Sequence, residues 1–162
     1  AIMVATILIG TFTADPILAG EKARDGRFVA YDNGTVLDTR TNLMWGAKDN
    51  GADIDWSGAK SYCDNYRGGD YTDWRMPTWG ELADLYDDGK SYTTGLKKRW
   101  FFDSGYTVHL TELIQLSAPY CWASGTRNSE APGFYFSFEK HYAPLVGGGS
   151  GDLRALPVRS GK

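Results

Sequence analysis

Histidine and cysteine are scarce in this chain, and the scarcity removes several kinds of chemistry. His109 and His141, with Cys63 and Cys121, are all that 162 residues contain. Structural zinc needs a tetrahedral set of Cys and His ligands, and no CxxC and no Cys/His cluster occurs. Serines are present without a GxSxG elbow, so a triad hydrolase has no local signature. The glycine run Gly147 to Gly151 lacks the lysine and helix that a phosphate-cradling loop requires. Carboxylate pairs such as Asp87-Asp88 follow a helix end and read as solvated. An extended basic run is missing too, and the net charge is -3, so nucleic acid finds no electrostatic footprint. The chain is therefore read as non-enzymatic, with no cofactor and no resident metal.

Long apolar runs are confined to one place. Residues Ala1 to Ile9 are apolar apart from Thr6. As a helix, Ala1 to Thr13 would span about 20 Å at the usual rise per residue. That falls short of the roughly 30 Å of a bilayer core, and Asp15-Pro16 stops a helix from continuing. Three readings compete for residues 1-20: a secretory signal remnant, a pilin-like helix, or an extended strand donated to a neighbouring subunit. A signal lacks its basic n-region here, and a pilin-like helix lacks the acidic residue usual near position five. Val4, Thr6, Ile7, Ile9, Thr11, Phe12 and Thr13 are β-branched or aromatic, which favours the strand. The expected assembly contacts are Ile2, Val4, Ile7, Ile9 and Phe12. All three readings imply export, with membrane contact only transient or during export. The expected location is extracellular, at a bacterial cell surface. The expected partner is a second copy, as a homo-oligomer or polymer.

What the chain does have is 20 glycines, 10 tyrosines and 6 tryptophans. Many Gly and aromatics suit a loop- and strand-rich fold. Residues 21-162 read as one α+β domain. Strands are expected at Arg27 to Ala30, Gly34 to Leu37 and Thr41 to Trp45, the first two joined by Asp32-Asn33-Gly34. A helix is expected over Asp55 to Tyr66, with Asp55 as N-cap and Trp56, Ala59, Tyr62, Cys63 and Tyr66 on one face. A second runs from Pro77 to Tyr86, where Thr78 and Glu81 make a capping box and Trp79, Leu82, Leu85 and Tyr86 make the buried stripe. Lys90 to Pro119 reads as long loops with short structured pieces. Strands follow at Tyr120 to Ser124, Gly133 to Glu139, His141 to Val146 and Leu153 to Val158. In an exported chain the two cysteines are expected to bridge; buried free thiols are the alternative. A Cys63–Cys121 bridge would close a loop of 58 residues, worth about 4 kcal/mol by chain entropy.

Five segments carry a resemblance. They are Asp32 to Trp45 (DNGTVLDTRTNLMW), then Trp56, Ala59, Tyr62 and Cys63, then Tyr71 through Leu82 (YTDWRMPTWGEL), Tyr120 to Ser124 (YCWAS), and Arg154 to Arg159. In order and spacing they resemble the bacterial domain at the C-terminus of the collagen-like adhesin Lcl. The likeness spans residues 25 to 162, except Lys90 to Pro119, and Cys121 departs from the family's YWSS. The resemblance implies a C-type-lectin-like fold, a mixed domain with two helices and short antiparallel strands. It also implies an exported protein, in some members an adhesin for sulfated polysaccharide. In that frame the inserted Cys121 becomes the partner of Cys63.

Packing and function then compete for the same residues. Trp74 beside Arg75 has the chemistry to stack on a sugar and pair with a sulfate. Core packing of Trp74 and a buried ion pair made by Arg75 is the reading we favour for them. Trp122, Ser124, Arg127 and Asn128 near a late loop form the tentative ligand patch, for a possible polysaccharide. Glu112, Glu130, Glu139 and Asp152 carry the oxygens calcium takes, yet the EPN or QPD triplet of calcium-dependent lectins is absent. Lectin-like folds also include an oxidase that makes formylglycine, but its paired active-site cysteines have no match. Two functions remain: a self-assembling fibre or surface-layer subunit, and a glycan-binding adhesin module.

Overall fold

The computed structural model describes residues 19–97, 105–125, 131–138 and 152–161. The expected assembly residues Ile2, Val4, Ile7, Ile9 and Phe12 lie outside them, as does the strand expected at His141 to Val146. The described residues form an α+β fold, as expected from the sequence. It has two α-helices, a five-stranded and a two-stranded antiparallel sheet, and a three-stranded sheet with one parallel pair.

The chain enters through β1 (Glu21–Asp25), β2 (Phe28–Tyr31), β3 (Thr35–Asp38) and β4 (Leu43–Gly46), each antiparallel to the next. β1 was not foreseen: EKARD shows no apolar alternation, because it is an exposed edge strand. Charge on such an edge discourages further pairing. The β2–β3 turn works differently from a simple Asn-Gly turn. Gly34 alone takes positive φ (80°), while the Asn33 side chain accepts from the Thr35 N–H and hydroxyl at 3.2 and 2.8 Å.

Helix α1 (Trp56–Asn65) opens on Asp55, whose carboxylate accepts from the Gly58 N–H at 2.6 Å. Helix α2 (Trp79–Leu85) opens on Thr78 with both bonds of the capping box formed. Both N-caps are the residues expected from the sequence. Between the helices a 3-10 turn, Gly68–Asp70, leads into Asp73-Trp74-Arg75.

The stretch expected to hold long loops with short structured pieces contains two paired strands, β5 (Tyr92–Lys97) and β6 (Gly105–Val108). Next, β7 (Tyr120–Trp122) pairs antiparallel with β8 (Gly133–Tyr135) and parallel with β9 (Leu153–Arg154). The expected Leu153 to Val158 strand is two: β9, and β10 (Val158–Ser160), which pairs with β4 and completes the large sheet. The main core joins Phe28, Val36, Trp45 and Val158 of that sheet to Leu82 and Leu85 of α2 and to Cys121 and Phe134 of β7 and β8. A second cluster joins Ala59 and Cys63 of α1 to Met76, Trp122, Leu153 and Ala155.

The expected disulfide is absent: Cys63 and Cys121 are both free and fully buried. The reason lies in strand alternation. Cys63 packs with Trp122, whose side chain leaves β7 on the face opposite to Cys121. Cys121 turns instead toward Phe134 in the main core.

Candidate functional site

The residues that the sequence motifs single out mostly hold one another. Arg159 is buried, and its guanidinium grips Asp73 at 2.6 and 3.1 Å while lying 3.8 Å over the Tyr71 ring. Trp74 is buried and donates its indole N–H to the Gly68 carbonyl at 3.1 Å. Arg75 meets Glu81 through two bonds of 2.8 and 2.6 Å, and Glu81 also accepts from the Thr78 N–H. Burial pushes the Glu81 carboxyl up, but the Arg75 and Thr78 bonds outweigh it and hold it below the usual value. Arg154 is buried against Ser117 (2.7 Å) and Asp53. These pairings make the motifs chiefly a framework, the reading favoured for Trp74 and Arg75, except that the Arg75–Glu81 pair is not buried: the Arg75 side chain is 44 % exposed beside α2.

Trp122 belongs to the same framework. It is 6 % exposed and donates its indole N–H to the Ile54 carbonyl at 2.7 Å, so it presents no stacking face to solvent. Ser124 is half-buried, with its N–H on the Pro77 carbonyl at 2.7 Å. Arg127 and Asn128 lie outside the described residues, as do Glu130 and Glu139. Of the two patch residues described, Trp122 therefore offers no face to a ligand and Ser124 offers part of one.

Two clefts differ in what they leave available. The larger, about 430 Å³, is lined by Lys48, Asp49, Tyr92, Thr93, Glu112 and Gln115, among others. Its buried polar groups are already used. The Asp49 carboxylate accepts from the Ser117 N–H and hydroxyl and from the Gly51 N–H. The Tyr92 hydroxyl donates to Ile114 O and accepts from the Leu116 N–H. A groove of about 340 Å³ is lined by Trp56, Lys60, Asp64, Arg75, Met76, Thr78, Ser124 and Gly125. Trp56 is half-buried, its indole held by an N–H bond to Ala123 O at 2.9 Å. Helical spacing puts Lys60 and Asp64 one and two turns on from Trp56, along the same side of α1. The Arg75 side chain remains 44 % exposed beyond its pair with Glu81. The sequence marked Trp56 as a helix-face residue and as part of a family motif, but not as a ligand candidate; the signal missed was its place at the first turn, where a helix face runs out.

Neither thiol is a ready nucleophile. Burial pushes Cys63 up to about 12 and raises Cys121 well above the ordinary thiol value, whereas nucleophilic cysteines have lowered values. His109 packs its ring 5.6 Å from Tyr86. Among the described residues no three His, Cys, Asp or Glu side chains gather as a metal site.

A family model described as the Lcl C-terminal domain matches residues 34–159. The chain belongs to the Lcl C-terminal domain family. Within this Lcl C-terminal domain the matched segment runs from the β2–β3 turn to β10, so it takes in both helices and every ion pair of the motif framework. No curated protein matches the chain significantly, and no solved structure does.

Proposed function

We propose that this protein is an exported, non-enzymatic module of a bacterial surface that binds polysaccharide, with a preference for sulfated chains. Its support is one observation: a half-buried, hydrogen-bonded tryptophan lines a groove that two cationic side chains border, Lys60 and Arg75. A fixed indole offers a π-face to the C–H side of a sugar ring at little entropic cost. An ammonium and a planar guanidinium supply donors for sulfate oxygens. Asp64 and Glu81 offset part of that charge, which argues for modest affinity that falls steeply with salt. The finer fold expectation, a C-type-lectin-like arrangement, belongs to the same proposal and draws on the family. The test is affinity electrophoresis in a gel containing heparin. Wild type is expected to be retarded at low salt, and Trp56→Ala and Lys60→Ala to lose about tenfold in affinity. Equal retardation of folded variants and wild type would refute this groove. Failure of wild type to bind any sulfated chain would sink the function.

A second reading, assembly into a fibre or surface layer, is carried by the apolar arm of residues 1-20 alone. It requires that the full chain polymerise and that residues 21-162 remain monomeric in sedimentation.

A further inference from the structure

The three-stranded sheet carries a second aromatic surface that the groove does not use. Alternation along β7 sends Tyr120 and Trp122 to one face. The register sets Tyr135 opposite Tyr120 and Gly133 opposite Trp122. At the Trp122 end that face is closed by Ile54. At the other end it stays half-open. Tyr120 and Tyr135 are each partly exposed and stack at 4.2 Å with their planes 11° apart. The ring of Phe138 follows, 5.5 Å from Tyr135 and 64 % exposed. Among the described residues it is the one large apolar side chain left in water.

The surroundings restrict what such a platform takes. The Tyr120 and Tyr135 rings present their phenol edges side by side in this stack. Asp152 borders the pair, because it immediately precedes Leu153, the register partner of Tyr120. Rings bordered by hydroxyls and one carboxylate combine a C–H stacking face with directional partners for hydroxyl groups. The rings carry no charge, so a contact made by stacking on them does not depend on salt. Three rings are also far too little area for a stable protein interface.

We propose that Tyr120, Tyr135 and Phe138 form a stacking subsite for an uncharged pyranose. This rests on the polysaccharide reading and extends it to a second, charge-independent contact. Trp56 and Tyr120 pack against one buried cluster, so both sites are anchored to the same part of the fold.

The test uses the full chain in affinity electrophoresis against dextran, galactomannan and xyloglucan, at low and high salt, with heparin in parallel. At least one neutral polysaccharide should retard the protein equally at both salts. Phe138→Ala should weaken that retardation about tenfold while heparin binding stays unchanged. Phe138→Trp should preserve it, and since Phe138 is exposed neither change threatens folding. Tyr135→Ala, with its fold checked by near-UV circular dichroism, should weaken it as well. Heparin binding without any neutral polysaccharide would overturn this subsite and leave the groove standing. Neutral binding indifferent to both Phe138→Ala and Tyr135→Ala would overturn it too. Absence of binding to every polysaccharide would end both readings.

Discussion

At the scale of single residues, charge and burial decide how the protein responds to acid. The Glu81 carboxyl is held below its ordinary value of 4.5, so the unfolded chain takes up the proton first as pH falls. Its contribution is complete above the ordinary carboxylate range and is lost as pH drops through the folded value. Asp25, lowered by its bonds to Lys90 and Thr111, acts in the same direction. Glu81→Gln keeps the size and an acceptor for the Thr78 N–H but removes the charge facing Arg75. Because Arg75 is half-exposed, the loss is expected to be only about 1 kcal/mol. In thermal melts the variant should lie about 2–4 °C below wild type at neutral pH, and the two should converge below about pH 4.5. A gap that persists unchanged into acid would mean that the charge is not what Glu81 contributes. The role of Glu81 in the cap was legible, because Thr78 lies three residues away. The partner of Arg159 was not: Asp73 lies 86 positions upstream. Trp122 misled for the same reason, since its cover comes from Ile54, 68 positions earlier.

At the scale of elements, the helices were legible and several strands were not. A helix announces itself through a cap and a face inside a dozen residues, and Asp55 and Thr78 did so. β5 and β6 are Thr- and Gly-bearing strands paired mainly with each other, so they lack the apolar alternation that marks a half-buried strand. The 3-10 turn between the helices tests how tightly a short element is fitted. Gly69 has φ 63°, and a Cβ there would lie 2.9 Å from Asn33 Nδ2 and 3.0 Å from Thr35 Cγ2 and Tyr71 Cε2. Gly26 has a similar φ of 58° and open space around it. Gly26→Ala should therefore cost only the backbone strain, about 1 kcal/mol. Gly69→Ala adds crowding to that strain and should cost about 2–4 kcal/mol. Urea unfolding of the two variants gives the comparison. Equal losses would show that Asn33, Thr35 and Tyr71 yield freely, and that the turn is not packed against the β2–β3 hairpin.

At the scale of the whole molecule, the last described residues connect everything else. β9 lies beside β7 in the small sheet, and four residues later β10 closes the large sheet against β4. Leu153, Ala155, Leu156 and Val158 are fully buried, and Arg154 and Arg159 reach Asp53 and Asp73 on either side of α1. The family resemblance marked Arg154 to Arg159 as an element, but its destination between two sheets depends on contacts more than a hundred residues apart. Residues 153–160 contribute to both cores, so their contacts are expected to be needed for a stable fold. Leu156→Ala leaves a cavity in the main core and should cost about 2–5 kcal/mol in one cooperative transition. Ending the chain at residue 151 goes further: it opens the large sheet beside Trp45 and uncovers the second cluster around Cys63. That truncated chain should show no near-UV dichroism, and both thiols should react at once with a disulfide reagent that the folded protein resists. Slow thiol reaction together with a sharp urea transition in the truncated chain would instead place the folding unit upstream of β9, with the C-terminal strands added to a body already formed.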